Sequence, residues 1–242
     1  MQDLYVGDIG DFGKYGLLRK VCGSDLTLAI NWYKVSPKTL NKQNDGRYID
    51  YLSQPKQYRY YDTVLFDTLQ TIVLKESQRT ICEIEKSGLL DAIFFSDNIS
   101  INRSLWHQNA LKKTEKADVV FLDPDNGLET KKMHNADNAA EKHVKWNELK
   151  VYYDRGQSVI LYQHRPQMMK KEVCIKNVLE FSNTYLMSDN TYILEFPKYT
   201  NRFYFFFVHS KHNSCIKQIY DLMLKDWKGF CNQADGSNIN QQ

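Results

Sequence analysis

The chain reads as an α/β protein: a doubly wound, mostly parallel, Rossmann-like sheet with a C-terminal antiparallel hairpin. Three observations predict this. Leu26–Tyr33, Ala117–Leu122 and Gln157–Gln163 are near-continuous apolar runs, the pattern of strands buried on both faces of a parallel sheet. Helical periodicities lie between them, as crossover connections require. Two further runs, Thr191–Phe196 and Arg202–His209, are joined by the short Pro197-Lys198-Tyr199-Thr200-Asn201 segment of an antiparallel pair.

In chain order, Leu26–Tyr33 is the first strand, and the polar stretch Lys34–Arg47 reads as a long loop. Helical patterns follow over Thr63–Leu74 and Arg79–Ser87, the second stopped by Gly88. Asp91–Ser96 is a short apolar run, Arg103–Lys113 is helical, and Ala117–Leu122 is a buried strand. Asp125–Lys145 is polar and reads as a second long loop, of a length that is usually functional or disordered. The strand Gln157–Gln163, a helix over Met168–Phe181, the hairpin and a helix over Ile216–Trp227 complete the order. Residues 1–231 read as one domain and Asn232–Gln242 as a polar tail without apolar periodicity.

Composition narrows the function classes. Of 242 residues 42% are hydrophobic, which excludes disorder as the main state. The longest apolar run, Phe203–Val208, is far below the ~18 residues of a membrane span. Asp3, Asp8 and Asp11 stand where a secretory signal would need apolar residues. Five scattered cysteines without C-x-x-C point to free thiols, and the expected location is the cytoplasm. A net charge of +3 permits a nucleic-acid partner without requiring one.

Ligands of such sheets bind at the carboxyl ends of the strands. The first strand ends in Asn31-Trp32-Tyr33, the second buried run leads into Asp123-Pro124-Asp125-Asn126-Gly127, and the third into His164-Arg165-Pro166. The opening segment Gly7-Asp8-Ile9-Gly10-Asp11-Phe12-Gly13-Lys14-Tyr15-Gly16 spaces four glycines by three. That spacing either lets the backbone approach a ligand, with Asp8, Asp11 and Lys14 beside it, or serves local packing. Asp123 at a strand end can orient an amine, act as a base or hold a metal. His164 suits acid–base work, and Arg165 suits a phosphate. Asp8, Asp11, Lys14, Asp123, Asp125 and His164 are therefore expected to line one cleft. Lys198 and Arg202, beside aromatics in a polar turn, suit a phosphate backbone.

Ala117-Asp118-Val119-Val120-Phe121-Leu122-Asp123-Pro124 resembles the strand and [DNS]-P-P-[YFW] motif of S-adenosylmethionine-dependent amino-methyltransferases. The glycine-rich opening is similar in order to the corresponding segment of the rRNA adenine-N6 methyltransferases, and the terminal strand pair to their reversed hairpin. The resemblance implies a methyltransferase-like enzyme acting on a nucleobase amine. S-adenosylmethionine would lie near Gly7, Asp8, Asp11, Lys14 and Asn31. Asp123 would accept the target amine, with Asp125, Asn126 and His164 in the same catalytic site and Arg165, Lys198 and Arg202 on the substrate. Asp125 and Asn126 replace the motif's second proline and aromatic, and Asn31–Pro37 lacks the cofactor glycines. Two alternatives stand beside it. One is a Mg²⁺-dependent nuclease or phosphohydrolase using the aspartates, with Glu129-Thr130-Lys131 imitating part of a nuclease signature; the other is a non-catalytic binding module. RNA or DNA is the expected macromolecular partner, met by Lys131, Lys132, Lys142, Lys145, Lys198 and Arg202.

Overall fold

The computed structural model describes residues 1–35, 46–74, 79–136, 141–166, 168–199 and 201–234. In chain order the elements are α1 (Ile9–Cys22), β1 (Leu28–Asn31), α2 (Pro55–Tyr58), α3 (Thr63–Leu74), α4 (Ile81–Lys86) and β2 (Ala92–Phe95). Next come α5 (Arg103–Lys113), β3 (Val119–Leu122), β4 (Gly127–Leu128), α6 (Lys131–Asn135), β5 (His143–Val144) and α7 (Trp146–Asp154). The last are β6 (Ser158–His164), α8 (Lys171–Phe181), β7 (Asn190–Phe196), β8 (Arg202–Val208), α9 (Asn213–Asp226) and β9 (Asn232–Gln233).

Among the described residues seven strands form one mixed sheet in the order β2-β1-β3-β6-β8-β7-β9. The first four run parallel, in a register that sets Leu28 beside Ala92 and Val119, and Val119 beside Ser158. β8 then runs antiparallel to both β6 and β7. Alternation of side chains along each strand builds two cores. Leu28, Ile30, Val119, Phe121, Ile160, Tyr204 and Phe206 pack on one face with residues of α1, α3 and α9. Ala29, Val120, Leu122, Val159, Leu161, Phe205 and Phe207 pack on the other with residues of α5, α7 and α8. The arrangement is α/β with a parallel centre and an antiparallel end.

The glycine-spaced opening is a helix. Asp8 caps α1, its Oδ1 accepting from the Asp11 N–H at 2.8 Å. The three helical glycines form a strip against which other elements lie closely. A Cβ on Gly13 would sit 2.6 Å from the Phe230 ring and 2.7 Å from Phe196, and one on Gly16 would overlap Trp227. Close approach therefore belongs mainly to the protein's own aromatic rings, which corrects the ligand reading for Gly13 and Gly16.

Other corrections are local. Asp125–Lys145 is not one loop, since β4 and β5 pair in parallel and α6 lies between them. A helix absent from the sequence reading, α7, starts where the Glu148 carboxylate accepts from the Lys145 N–H at 3.1 Å. The polar tail begins later than Asn232, because β9 pairs with β7 and Ala234 is fully buried; residues 235–242 lie outside the described residues, as does most of the expected Lys34–Arg47 loop. Among the described residues no helix is long and apolar enough to cross a membrane.

Candidate functional site: a carboxylate–lysine cleft at the sheet edge

Strand parity decides what reaches the rim on the α1 side. Asp123 continues the Val119, Phe121 series, His164 the Ile160, Tyr162 series, and Arg202 heads the Tyr204, Phe206 series. These residues and the first turns of α1 enclose a cleft of about 420 Å³. Asp8, Asp11, Lys14, Asp123, Asp125, Asn126, His164 and Arg202 all line it, with Tyr48, Tyr162, Tyr204 and Lys142. Asp11 and Lys14 stand one turn apart on α1, and so project together.

Lys14 is the hub. Its Nζ lies 2.7 Å from Asp11 Oδ1 and 2.8 Å from Asp123 Oδ2, and all three residues are 3% exposed. Asp11 Oδ2 accepts from the Tyr15 hydroxyl at 3.0 Å and the Gly7 N–H at 3.2 Å. Burial pushes the Asp11 and Asp123 carboxyls above the usual carboxylate value, and Lys14 offsets only part of that rise. Burial alone would lower the Lys14 pKa, but its two carboxylate partners raise it, so the ammonium stays charged. Burial also acts to raise Asp125, yet the Met1 amino group at 3.0 Å, Gln2 and Lys142 hold its carboxyl below the ordinary value. His164 is held below its ordinary value by burial and by Arg202 and Arg165, and is neutral at pH 7. Burial raises the Tyr162 and Tyr204 phenols, which remain protonated. Among the described residues four carboxyl groups (Asp8, Asp11, Asp123 and Asp125) thus meet four cationic groups (Lys14, Lys142, Arg202 and the Met1 amine), and the described lining is close to charge balance.

Several expected site residues lie elsewhere. Asn31 has the parity of Ala29, and its amide donates to the Tyr152 hydroxyl at 3.1 Å on the opposite face. Gly7 does not line the cleft; its φ of +76° shapes the turn into α1, and a Cβ there would collide with Val73. Arg165 follows the strand's end and donates to the Met169 carbonyl at 3.2 Å, away from the cleft lining. Lys198 lies in the hairpin turn and also does not line it. Arg202 is buried in the cleft wall against Gly10, where an exposed phosphate contact was expected. Lys131 and Lys132 line a second cavity of about 460 Å³, which shares only Asn126 and His164 with the first. The expected row of cations does not stay together: Lys142 and Arg202 line the first cavity, Lys131 and Lys132 the second, and Lys145 and Lys198 neither.

The aspartates do not make a cation cage. Among the described residues no group of three or more His, Cys, Asp or Glu side chains is placed to hold a metal, and the Lys14 ammonium stands between Asp11 and Asp123. Glu129, the nuclease-like glutamate, is buried and structural: it accepts from the Trp146 N–H at 2.6 Å and contacts His134 Nδ1 at 3.0 Å. Tyr162 and Tyr204 are cleft residues that the sequence reading missed. Their signal was period-two alternation with His164 and Arg202, because the ladder pairs His164 with Arg202 and Tyr162 with Tyr204. Comparison with protein-family models, curated proteins and solved structures finds no match for this chain.

Proposed function

We propose that the cleft recognises a nucleobase through its exocyclic amine, on a methyltransferase-like scaffold, with Asp123 as the acceptor. The observation that carries this reading is the buried Asp123 carboxylate at the end of β3. Lys14 holds one of its oxygens, and the other, Oδ1, accepts no hydrogen bond from the described residues. That oxygen belongs to a residue lining the cleft, where an acceptor with spare capacity can take a ligand donor. The Tyr204 hydroxyl, fully buried on the same wall, also has no partner among the described residues, which favours a ligand polar group there. Near charge balance suits an uncharged base better than a polyphosphate. The insertion of β8 between β6 and β7 supports the scaffold assignment, as the reversed hairpin of the resemblance requires.

The rim between β1 and β3 does not fit S-adenosylmethionine. The Met1 amine already donates to the Trp32, Tyr33 and Asp123 carbonyls at 3.0, 3.1 and 2.9 Å, and Asn31 is engaged with Tyr152. The chemistry assigned to the chain's own residues is binding, orientation and proton handling. Asp123, with its raised pKa, is a stronger base than an ordinary carboxylate, and neutral His164 can donate or accept.

Calorimetric titration tests this reading. Adenosine and cytidine should bind more tightly than inosine and uridine, which carry a carbonyl oxygen in place of the amine. Asp123→Asn should weaken only the first pair, by about 10- to 150-fold for a lost charge-assisted hydrogen bond. Equal binding of adenosine and inosine would remove Asp123 from its role. Stoichiometric S-adenosylmethionine binding would show that Met1 yields the rim.

A further inference from the structure

Beside the cleft mouth the surface carries more exposed aromatic ring than packing requires. Tyr48, which lines the cleft, stacks on Tyr199 with centroids 4.8 Å apart and an angle of 27°. Tyr60 stacks on Tyr61 at 4.2 Å and 29°, and Tyr61 stacks in turn on Trp227. Both ends of this surface are tied to α1: the Tyr48 carbonyl accepts from the Ile9 N–H at 2.9 Å, and Trp227 packs on Phe12 with centroids 5.1 Å apart. Tyr60 is 66% exposed and Tyr199 56%, so neither ring serves the core. Tyr199 holds a φ of +60°, a left-handed backbone that bulky residues rarely adopt, which keeps its ring on Tyr48.

Cations interleave with the rings. The Arg47 guanidinium lies 5.1 Å from the Tyr48 centroid, Lys198 adjoins Tyr199, and Arg59 sits between Tyr58 and Tyr60 in sequence. Arg59 is paired with exposed Asp67 at 2.7 Å, a solvated pair that a phosphate oxygen can replace. Stacked rings with basic groups beside them match the way unpaired bases and their phosphates are bound; a duplex keeps its base faces inside.

We infer that this tyrosine track docks single-stranded nucleic acid, its bases stacking on Tyr199 and Tyr60, with one base delivered over Tyr48 into the cleft. The delivery clause rests on the nucleobase reading of the cleft; the docking clause does not.

Fluorescence anisotropy with labelled mixed-sequence oligomers of about twelve nucleotides, within the ~4–16-nucleotide span of such sites, tests it. DNA and RNA single strands and the DNA duplex form three arms, the first two separating the contribution of the sugar. The single strands should bind and the duplex at least ~10-fold more weakly. Tyr199→Ala and Tyr60→Ala should each weaken strand binding about 5- to 150-fold, the range for one stacked base, while Tyr199→Phe and Tyr60→Phe stay near wild type. Adenosine binding should be unchanged in all four variants, since neither residue lines the cleft. Strand affinity that ignores both alanine variants, phenylalanine variants that lose as much as alanine, or a duplex bound equally well would each overturn the proposal. Strand binding that responds to Tyr199 and Tyr60 in a protein that does not bind adenosine would refute the cleft reading and leave the track standing.

Discussion

Replacing Lys14 by Met isolates the electrostatics of the cleft. The change keeps an unbranched chain of similar length and removes the charge that Asp11 and Asp123 share at 2.7 and 2.8 Å. All three groups are buried, so the variant leaves two carboxylates without their cation. Breaking a buried pair in this way costs about 3–5 kcal/mol, against a total stability of about 5–15 kcal/mol for a protein of ordinary size. The cost should depend on pH in a defined direction. Both carboxyls have folded-state pKa values above the ordinary 3.8, so the folded protein binds protons more tightly than the unfolded chain. Their contribution is fully present below the unfolded value and is lost as pH rises through the folded value, by up to about 1.4 kcal/mol per pH unit for each group. Without Lys14 the folded values rise further, and the gap between variant and wild type should widen from pH 4 to pH 7. Urea unfolding followed by circular dichroism at pH 4.5, 5.5 and 7 measures that gap. The triple change Asp11→Asn, Lys14→Met, Asp123→Asn should recover most of the loss, because no charge is then stranded. A gap that is constant with pH, or a Lys14→Met protein as stable as wild type at pH 7, would refute this account.

Three further outcomes are expected. Gly16→Ala should cost about 1–3 kcal/mol in unfolding free energy, as its methyl group overlaps Trp227; a neutral effect would mean that α1 and the Trp227 segment can separate. Glu129→Ala should strand the buried Trp146 N–H, costing about 1–3 kcal/mol and lowering the melting temperature by roughly 2–12 °C, with adenosine binding unchanged. Asn31→Ala should reduce stability through the lost Tyr152 bond and leave ligand binding intact, so a selective loss of binding in calorimetry would return Asn31 to the site.

The parallel centre of the fold was legible because its strands are apolar on both faces, and the hairpin because its two runs are separated by five residues. Thr63–Leu74 and Arg103–Lys113 have the bounds their periodicity predicts. What escaped depends on partners distant in sequence. Glycine spacing argues against a helix until Phe196, Trp227 and Phe230 are known to lie along α1. β9 pairs through its backbone while both its side chains stay exposed, so it leaves no apolar pattern. At the rim, nearness to a strand end was readable for both Asn31 and Asp123, but parity separates them: Asn31 follows Ala29 onto one face and Asp123 follows Phe121 onto the other. The same parity would have found Tyr162 and Tyr204. The neutralising role of Lys14 was not readable, because it depends on α1 crossing the end of β3.

A crystal structure of the protein soaked with cytidine would show whether Asp123 receives an exocyclic amine. The base should lie in the cleft between α1 and the end of β3, with its exocyclic nitrogen within about 3.2 Å of the Asp123 carboxylate and Lys14 still bridging Asp11 and Asp123. Cytidine in the second cavity beside Trp146, or in the cleft with its amine turned away from Asp123, would contradict that role for Asp123.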